Sequence, residues 1–243
     1  MPNADHTAAH FHNRLLQHLD VAGEERFRSV LEPVSLKAQE VLYHAGEHID
    51  QIYFPESAVI CMLTVMADGE TIESSTVGRE GASWISASFD QATMPCQTMV
   101  AVGGEAWKIG VPSVEREIQL NGEFHGALSQ YSHALLIAAF RTTACNGLHN
   151  IHQRAARWML GVLDRTQADR FKITHEFLAE LLGVRRSTVT DLIADFRDKG
   201  LVESTRGVIE IVKRKELEEV ACECYAIVKQ NYEMMAYIAS SRI

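Results

Sequence analysis

No apolar run in this 243-residue chain approaches the ~20 residues a membrane-crossing helix needs. The opening stretch, MPNADHTAAHFHNR, lacks the apolar core of a signal peptide. Cysteine is scarce and odd in number. Cys61, Cys96, Cys145, Cys222 and Cys224 show no framework spacing, which argues against a disulfide scaffold and for a reducing cytosol. A cytoplasmic chain without a membrane partner is expected. Positive charge is also short, with 23 Lys and Arg against 32 Asp and Glu and a net charge of −9, so bulk charge does not drive nucleic-acid binding. Catalytic groupings are missing. The strand-like segments bring only His44 and His48 near one another, too few ligands for a cupin-like enzyme, and no nucleophile–base constellation stands out. The chain does not read as an enzyme.

What is present concentrates between Ile173 and Ile211, ITHEFLAELLGVRRSTVTDLIADFRDKGLVESTRGVIEI. The segment predicts a helix, a tight turn, a second helix and a short hairpin. Ala179 allows a close helix crossing, Gly183 supplies the positive φ of a sharp turn, and Val189 anchors the second helix. At about 100° per residue, Val189, Leu192, Ile193 and Phe196 share a buried stripe. Ser187, Asp191, Ala194 and Asp198 fall opposite, with Thr190 at the edge. Arg185 and Arg186 stand at the N-terminal end, the end that reaches base edges in a helix-turn-helix. After Gly200, Leu201–Ser204 and Val208–Ile211 alternate like two strands around Thr205-Arg206-Gly207, a wing with Arg206 at its tip. Charge is redistributed here too. From Lys172 to Lys215 nine basic residues face seven acidic ones, so a slightly positive segment sits in an acidic chain. Double-stranded DNA is the expected partner, with modest nonspecific affinity.

Upstream, from about Val34 to Val111, short apolar stretches alternate with Gly46, Gly69, Gly78, Gly81 and Gly103-Gly104. Gln51–Phe54, Ala58–Leu63, Thr98–Val102 and Ala106–Ile109 predict strands of a small barrel or roll. The character then changes, and Glu123 to Asp164 carries almost no Gly or Pro. Phe124, Leu128, Tyr131, Leu135, Ala138, Thr142 and Cys145 repeat at steps of four and three, a heptad seam. That seam is expected to meet a second subunit, with Leu136, Phe140 and Leu148 then facing the roll; the alternative is a helix packed on its own roll. His149 and His152 fall at the hinge. Beyond the wing, Leu217, Val220, Cys224, Ile227 and Met235 lie roughly on one helical face, which suits packing on the reading head or an extended dimer contact. Cys222 and Cys224, one residue apart, would not face each other on a helix, so no metal site is expected there.

A roll, a long helix and a winged helix-turn-helix in that order resemble the Crp/Fnr family of bacterial transcription regulators. The most specific stretches are Val41-Leu42-Tyr43-His44-Ala45-Gly46-Glu47 with Ile52-Tyr53-Phe54, and Ile173-Thr174 through Thr188-Val189. The resemblance implies an α+β fold: an N-terminal β-roll of the double-stranded β-helix or jelly-roll kind, a long dimerisation helix and a C-terminal winged helix-turn-helix. It divides the chain into residues 1–148 with the dimerisation helix at about 123–148, a head at 149–215, and a helical extension at 216–243. It further implies a homodimer on a two-fold symmetric DNA site, with RNA polymerase as a partner if the regulator activates. Arg185, Arg186, Ser187, Thr190 and Asp191 are then the reading residues, and Thr174, Thr188 and Arg206 hold phosphates. In the family pattern the recognition helix often carries Arg-Glu and a further Arg one turn on. Here Arg186 keeps the first, but Ser187 and Asp191 replace the others, which points to a different target site.

The sensor half departs from the family. Members that bind a cyclic nucleotide hold its ribose with a Gly-Glu pair and its phosphate with a downstream arginine. The matching turn here is Val77-Gly78-Arg79-Glu80-Gly81, with the acidic residue displaced by one, and no arginine occurs from Ala82 through Glu115. The phosphate position falls near Met94-Pro95-Cys96. A buried cyclic phosphate without its guanidinium loses a charge-assisted contact. The expected effector is therefore not a cyclic nucleotide, or there is none; the alternative is a cyclic-nucleotide module with an atypical cassette at Gly78, Arg79, Glu80 and Gly81. Arg79 and Glu80 would be exposed unless bound or paired internally. The cysteines do not suit an iron–sulfur cluster, and His44 and Cys96 make no credible haem pair, so no cofactor is expected. His6, His10 and His12 read as tail. Trp84, Phe89, Met94 and Cys96 read as core or as the lining of an apolar effector pocket.

Overall fold

The computed structural model describes residues 11–83 and 93–240, with backbone only from 236 onward. His6, His10, Trp84 and Phe89 lie outside the described residues. The roll is two antiparallel sheets. One has the order β1 (Glu32–Leu36), β7 (Gly104–Gly110), β3 (Gln51–Pro55). The other runs β2 (Val41–Tyr43), β6 (Gln97–Val102), β4 (Val59–Val65), β5 (Thr71–Val77). The four strands expected from the sequence are all there; β1, β2 and β5 join them.

β4 and β6 show why their segments are apolar without interruption. Ile60, Met62 and Val100 point into the roll's core. Val59, Cys61, Leu63, Met99 and Ala101 point the other way into a second core shared with the C-terminal half. A strand covered on both faces needs apolar residues at every position.

Before the roll, a short 3-10 turn (Leu16–His18) leads to α1 (Val21–Arg28), capped by Asp20, whose carboxylate accepts from Gly23 N at 2.6 Å. Asn13, fully buried, donates to the carbonyls of Pro55 and Gly81 at 2.9 and 2.8 Å and so pins this segment to the roll. After the roll come α2 (Val111–Leu120) and the long α3 (Gly122–Leu148). The Asn121 side chain starts α3 by accepting from the amides of Glu123 and Phe124. The helix stops at His149, whose backbone is extended, and α4 (Ile151–Thr166) begins from a capping box of Asn150 and Gln153.

The seam on α3 is where the structure corrects the sequence reading. Phe124, Leu128, Tyr131, Ala138, Thr142 and Cys145 are buried within the chain itself and Leu135 packs half-buried beside them, while Leu136, Phe140 and Leu148 are 51, 66 and 83% exposed. The two faces are therefore exchanged relative to expectation. The cause lies far along the chain. After α7 (Arg214–Val220), α8 (Cys224–Ser240) runs back along α3 and adds Tyr232 and Met235 to the roll's core. The heptad stripe is covered by the roll and α8, leaving the opposite stripe bare. The extension thus packs on both halves: Leu217, with Val220 and Tyr225 against it, joins the core of the C-terminal half, as one of the two expectations had it, and α8 goes on to close the roll.

The C-terminal half contains β8 (Arg170–Lys172), α5 (His175–Leu182), α6 (Arg186–Asp198), β9 (Val202–Thr205) and β10 (Val208–Ile211). Its sheet has the order β8-β10-β9, one strand more than the expected hairpin. No helix among the described residues is long and apolar enough to cross a membrane.

Candidate nucleic-acid interface

Thr174 caps α5, its hydroxyl accepting from Phe177 N at 3.1 Å. Gly183 ends it in the left-handed conformation, φ 60° and ψ 45°. A Cβ at Gly183 would also stand 2.9 Å from Ile72 Cδ1, so this turn is pressed against β5 of the roll. Ala179 is buried at the crossing, and Val189, Leu192, Ile193 and Phe196 form the buried face of α6. Burying Phe196 alone contributes on the order of 2–3 kcal/mol.

The opposite face of α6 is free. Arg185, the N-cap, and Arg186, Ser187, Thr190 and Asp191 are exposed; Thr188 is half-buried. The Thr190 hydroxyl is the least available of these. It donates to the Arg186 carbonyl at 3.2 Å and lies 3.1 Å from His175 Nδ1, tying α6 to α5. Arg185 and Arg186 have no side-chain partner among the described residues, so both guanidinium groups face solvent where α6 begins. At the wing, Arg206 (φ 51°) and Gly207 (φ 78°) make the two-residue loop between Thr205 and Val208. Arg206 is exposed at that tip. β8 adds exposed Arg170 and Lys172 beside it, through pairing of Val208 with Lys172. Arg170 escapes a sequence reading because a three-residue strand has no periodicity.

The cassette turn behaves differently. Glu80 is 5% exposed, and its carboxylate accepts from Arg165 Nε at 2.7 Å. Arg165, on α4, also donates to the carbonyls of Thr76 and Gly161, and its guanidinium lies 5.8 Å from the Tyr232 ring centroid. Burial works against its charge, but the Glu80 carboxylate outweighs that and its pKa is raised. The expectation that Glu80 is exposed unless bound is thus resolved by an internal partner 85 residues away. Gly81 is pressed against Tyr131, whose hydroxyl donates to the Ala82 carbonyl at 2.9 Å; a Cβ there would sit 2.0 Å from the ring. Arg79 is half-buried, its pKa lowered by burial and by Arg14 nearby. With Arg14, Arg165, Arg214, Lys229 and Tyr232 it lines a cleft of about 560 Å³ between the roll, α4 and α8. At the expected phosphate position Met94 is fully buried and Cys96 half-buried.

A second polar link joins the halves. Glu73 on β5 is buried and accepts from Trp158 Nε1 of α4 at 2.8 Å and from Thr76 Oγ1 at 2.7 Å. Burial pushes its carboxyl up, against the pull of Arg157, of the Thr76 and Trp158 bonds and of Arg165. Neither Arg165 nor Trp158 has a sequence signature for this role.

The expectation of no metal site at Cys222 and Cys224 rested on helical spacing, whereas the fold brings Cys145, His149, Cys222 and Cys224 together. The helical-spacing argument fails since α8 starts at Cys224 and Cys222 lies in the turn before it. His44 and His48 are exposed on the roll, and His12 is exposed, with its backbone amide donating to Glu56.

Residues 153–220 match the family model described as the Crp-like helix-turn-helix domain. The chain carries a Crp-like helix-turn-helix domain. Among solved structures, FixK2 from Bradyrhizobium japonicum is similar with a TM-score of 0.67 at 14% identity, covering 79% of this chain and 98% of that one. The c-di-GMP-responsive global regulator CLP of Xanthomonas campestris gives 0.60 at 13%, with 79% and 99% covered. A CRP/FNR-family transcriptional regulator of Thermus thermophilus gives 0.57 at 21%, with 78% and 98% covered. The fold, α+β with a roll, a long helix and the Crp-like domain, is that of Crp/Fnr regulators. No curated protein matches the chain in sequence.

Proposed function

We propose that this chain is a sequence-specific transcription regulator of the Crp/Fnr type, a non-enzyme that binds double-stranded DNA as a homodimer. The observation that carries the reading is the α6 face. Its buried stripe holds the helix to α5, while Arg185, Arg186, Ser187 and Asp191 are left in solvent at its leading end. Arg186, with Arg185 beside it, reads base edges in the major groove; Thr174, Thr188 and Arg206 meet phosphates; Thr190 fixes the helix edge. An exposed Asp191 prefers a cytosine amino group to a guanine edge. The functional division is a sensor roll and helix to residue 148, a reading head at 149–215 and an extension at 216–243. RNA polymerase is a partner if the regulator activates.

The dimer contact is assigned to the bare stripe Leu136, Phe140 and Leu148 of α3 rather than to the covered seam. Apolar side chains this exposed on one helix favour burial against a copy of themselves. Phe140→Glu should yield a folded monomer, and sedimentation should register the loss of the dimer. A dimer that survives this change sinks the assignment.

The effector is read as something other than a cyclic nucleotide, or as none. Glu80 already has Arg165 as its partner, and Gly81 is covered by Tyr131, so the cassette offers a ribose neither a free carboxylate nor an open backbone. Selection of genomic fragments by the purified protein tests the whole reading. Enrichment of a two-fold symmetric site, with half-sites about one helical turn apart, is expected. Recovery of fragments no different from random DNA would overturn it, and a saturable thermal shift with cyclic AMP or cyclic GMP would overturn the effector statement.

A further inference from the structure

The end of α3, the hinge after it and the start of α8 bring four soft donors to one point. Cys145 lies on the last turns of α3, His149 caps that helix, Cys222 sits in the turn before α8 and Cys224 opens it. Their ligand atoms all lie within 4.8 Å of one another. Cys145 Sγ is 3.5 Å from Cys222 Sγ, and Cys224 Sγ is 3.8 Å from His149 Nδ1. The three cysteines are each under 5% exposed and form a cluster of their own, separate from the two large cores.

We propose that Cys145, His149, Cys222 and Cys224 form a mononuclear zinc site that fastens α8 to the hinge. With zinc–sulfur bonds of about 2.3 Å and zinc–nitrogen bonds of about 2.0 Å, the edges of a coordination tetrahedron are roughly 3.5–3.8 Å. The sulfur–sulfur and sulfur–nitrogen distances above each lie within about 0.3 Å of the corresponding edge. Three thiolates and one imidazole are a donor set that selects zinc among common divalent cations, and four protein ligands make the site closed. The donors crowd too closely to surround a multi-iron cube, whose cysteines bind separate irons.

The surroundings fit a ligand set. His149 Nε2 lies 3.2 Å from Glu223 Oε2. A carboxylate there holds the proton on Nε2 and leaves the Nδ1 lone pair for the metal, the outer-shell arrangement that orients ligating histidines. Three thiolates on a divalent ion leave one net negative charge. Arg154, 8% exposed, and Arg157 act electrostatically on Cys145 from the next helix and offset it. Binding requires each thiol to lose its proton to solvent, with no change in oxidation state.

None of the four residues is among those read as contacting DNA, so loss of the metal and loss of DNA reading are tested by different substitutions. Full-length protein without a histidine tag, purified under reducing conditions, should contain about one zinc and no iron per chain by elemental analysis. Cobalt added to chelator-stripped protein should give the intense visible bands of a tetrahedral thiolate site, bleached by one equivalent of zinc. Cys222→Ser and Cys224→Ser should lose the metal at least tenfold in affinity, Cys224→His should retain it, and Cys61→Ser should change nothing. The cobalt spectrum of the unsubstituted chain keeps the test decisive if a serine variant fails to fold. Protein that takes up neither zinc nor cobalt, that holds iron with sulfide, or that carries a Cys145–Cys222 disulfide after reducing purification would overturn the proposal.

Discussion

Arg165 and Arg186 stand on two helices of the same C-terminal half, in opposite conditions. Arg165 is half-buried between roll and head, with Glu80, Thr76, Gly161 and Tyr232 around it. Arg186 opens α6 in solvent with no side-chain partner among the described residues. The same side chain is disposed in two ways, with three of its five donors held by protein in one place and none in the other among the described residues. A guanidinium whose three nitrogens each donate to a protein acceptor is held in place by them; one that is exposed and anchored on a packed helix is free to meet a base edge.

The largest effect should come from the pair of Arg165 with buried Glu80. Arg165→Met leaves Glu80 buried without its counter-charge, a loss of about 3–5 kcal/mol, while Glu80→Gln together with Arg165→Met should recover most of it. Thermal unfolding checks both. If the single variant is no less stable than the parent, burial does not distinguish the two arginines. Arg186→Ala should leave stability within about 0.5 kcal/mol and remove roughly 1–3 kcal/mol of preference for the specific site. Equal loss of specific and random DNA would deny it a base-reading role.

The contrast extends to legibility. The buried face of α6 can be read from its periodicity, and so can the helix that covers it, because α5 is its immediate neighbour in sequence. On α3 the periodicity identifies Phe124, Leu128 and Tyr131 as buried just as well, but not what buries them. Their cover comes from the roll and from Tyr232 and Met235, roughly a hundred residues away. A stripe records that a face is covered; only the tertiary fold says by whom. The same limit hid Arg165 from Glu80, Trp158 from Glu73, and Cys222 and Cys224 from Cys145. Gly183 and the Arg206–Gly207 turn were legible because backbone conformation is local.

Glu73 offers a smaller, pH-dependent test of the buried junction. Its carboxyl is raised by burial above its ordinary value of 4.5 despite Arg157 and its hydrogen bonds. The folded state therefore binds that proton more tightly than the unfolded chain. The stability this confers is complete below 4.5 and is lost as pH climbs through the raised folded value. Glu73→Gln keeps an acceptor for the Trp158 indole and removes the charge. The variant should hold its melting temperature over that window while the parent declines. Parallel declines would show that other groups govern the junction's pH response.

The least of these effects belongs to the wing, where an exposed arginine occupies a backbone conformation that disfavours it. Arg206 has φ 51° in a two-residue hairpin loop, a position where Asn is preferred. Arg206→Asn should therefore stabilise the hairpin slightly, by a few tenths of a kcal/mol, while weakening all DNA sequences alike and lowering the salt slope by about one. Stability and binding move in opposite directions only if the arginine is kept for a phosphate rather than for the turn. Salt-dependent titrations beside a melting curve separate the two, and an unchanged slope would assign Arg206 to neither.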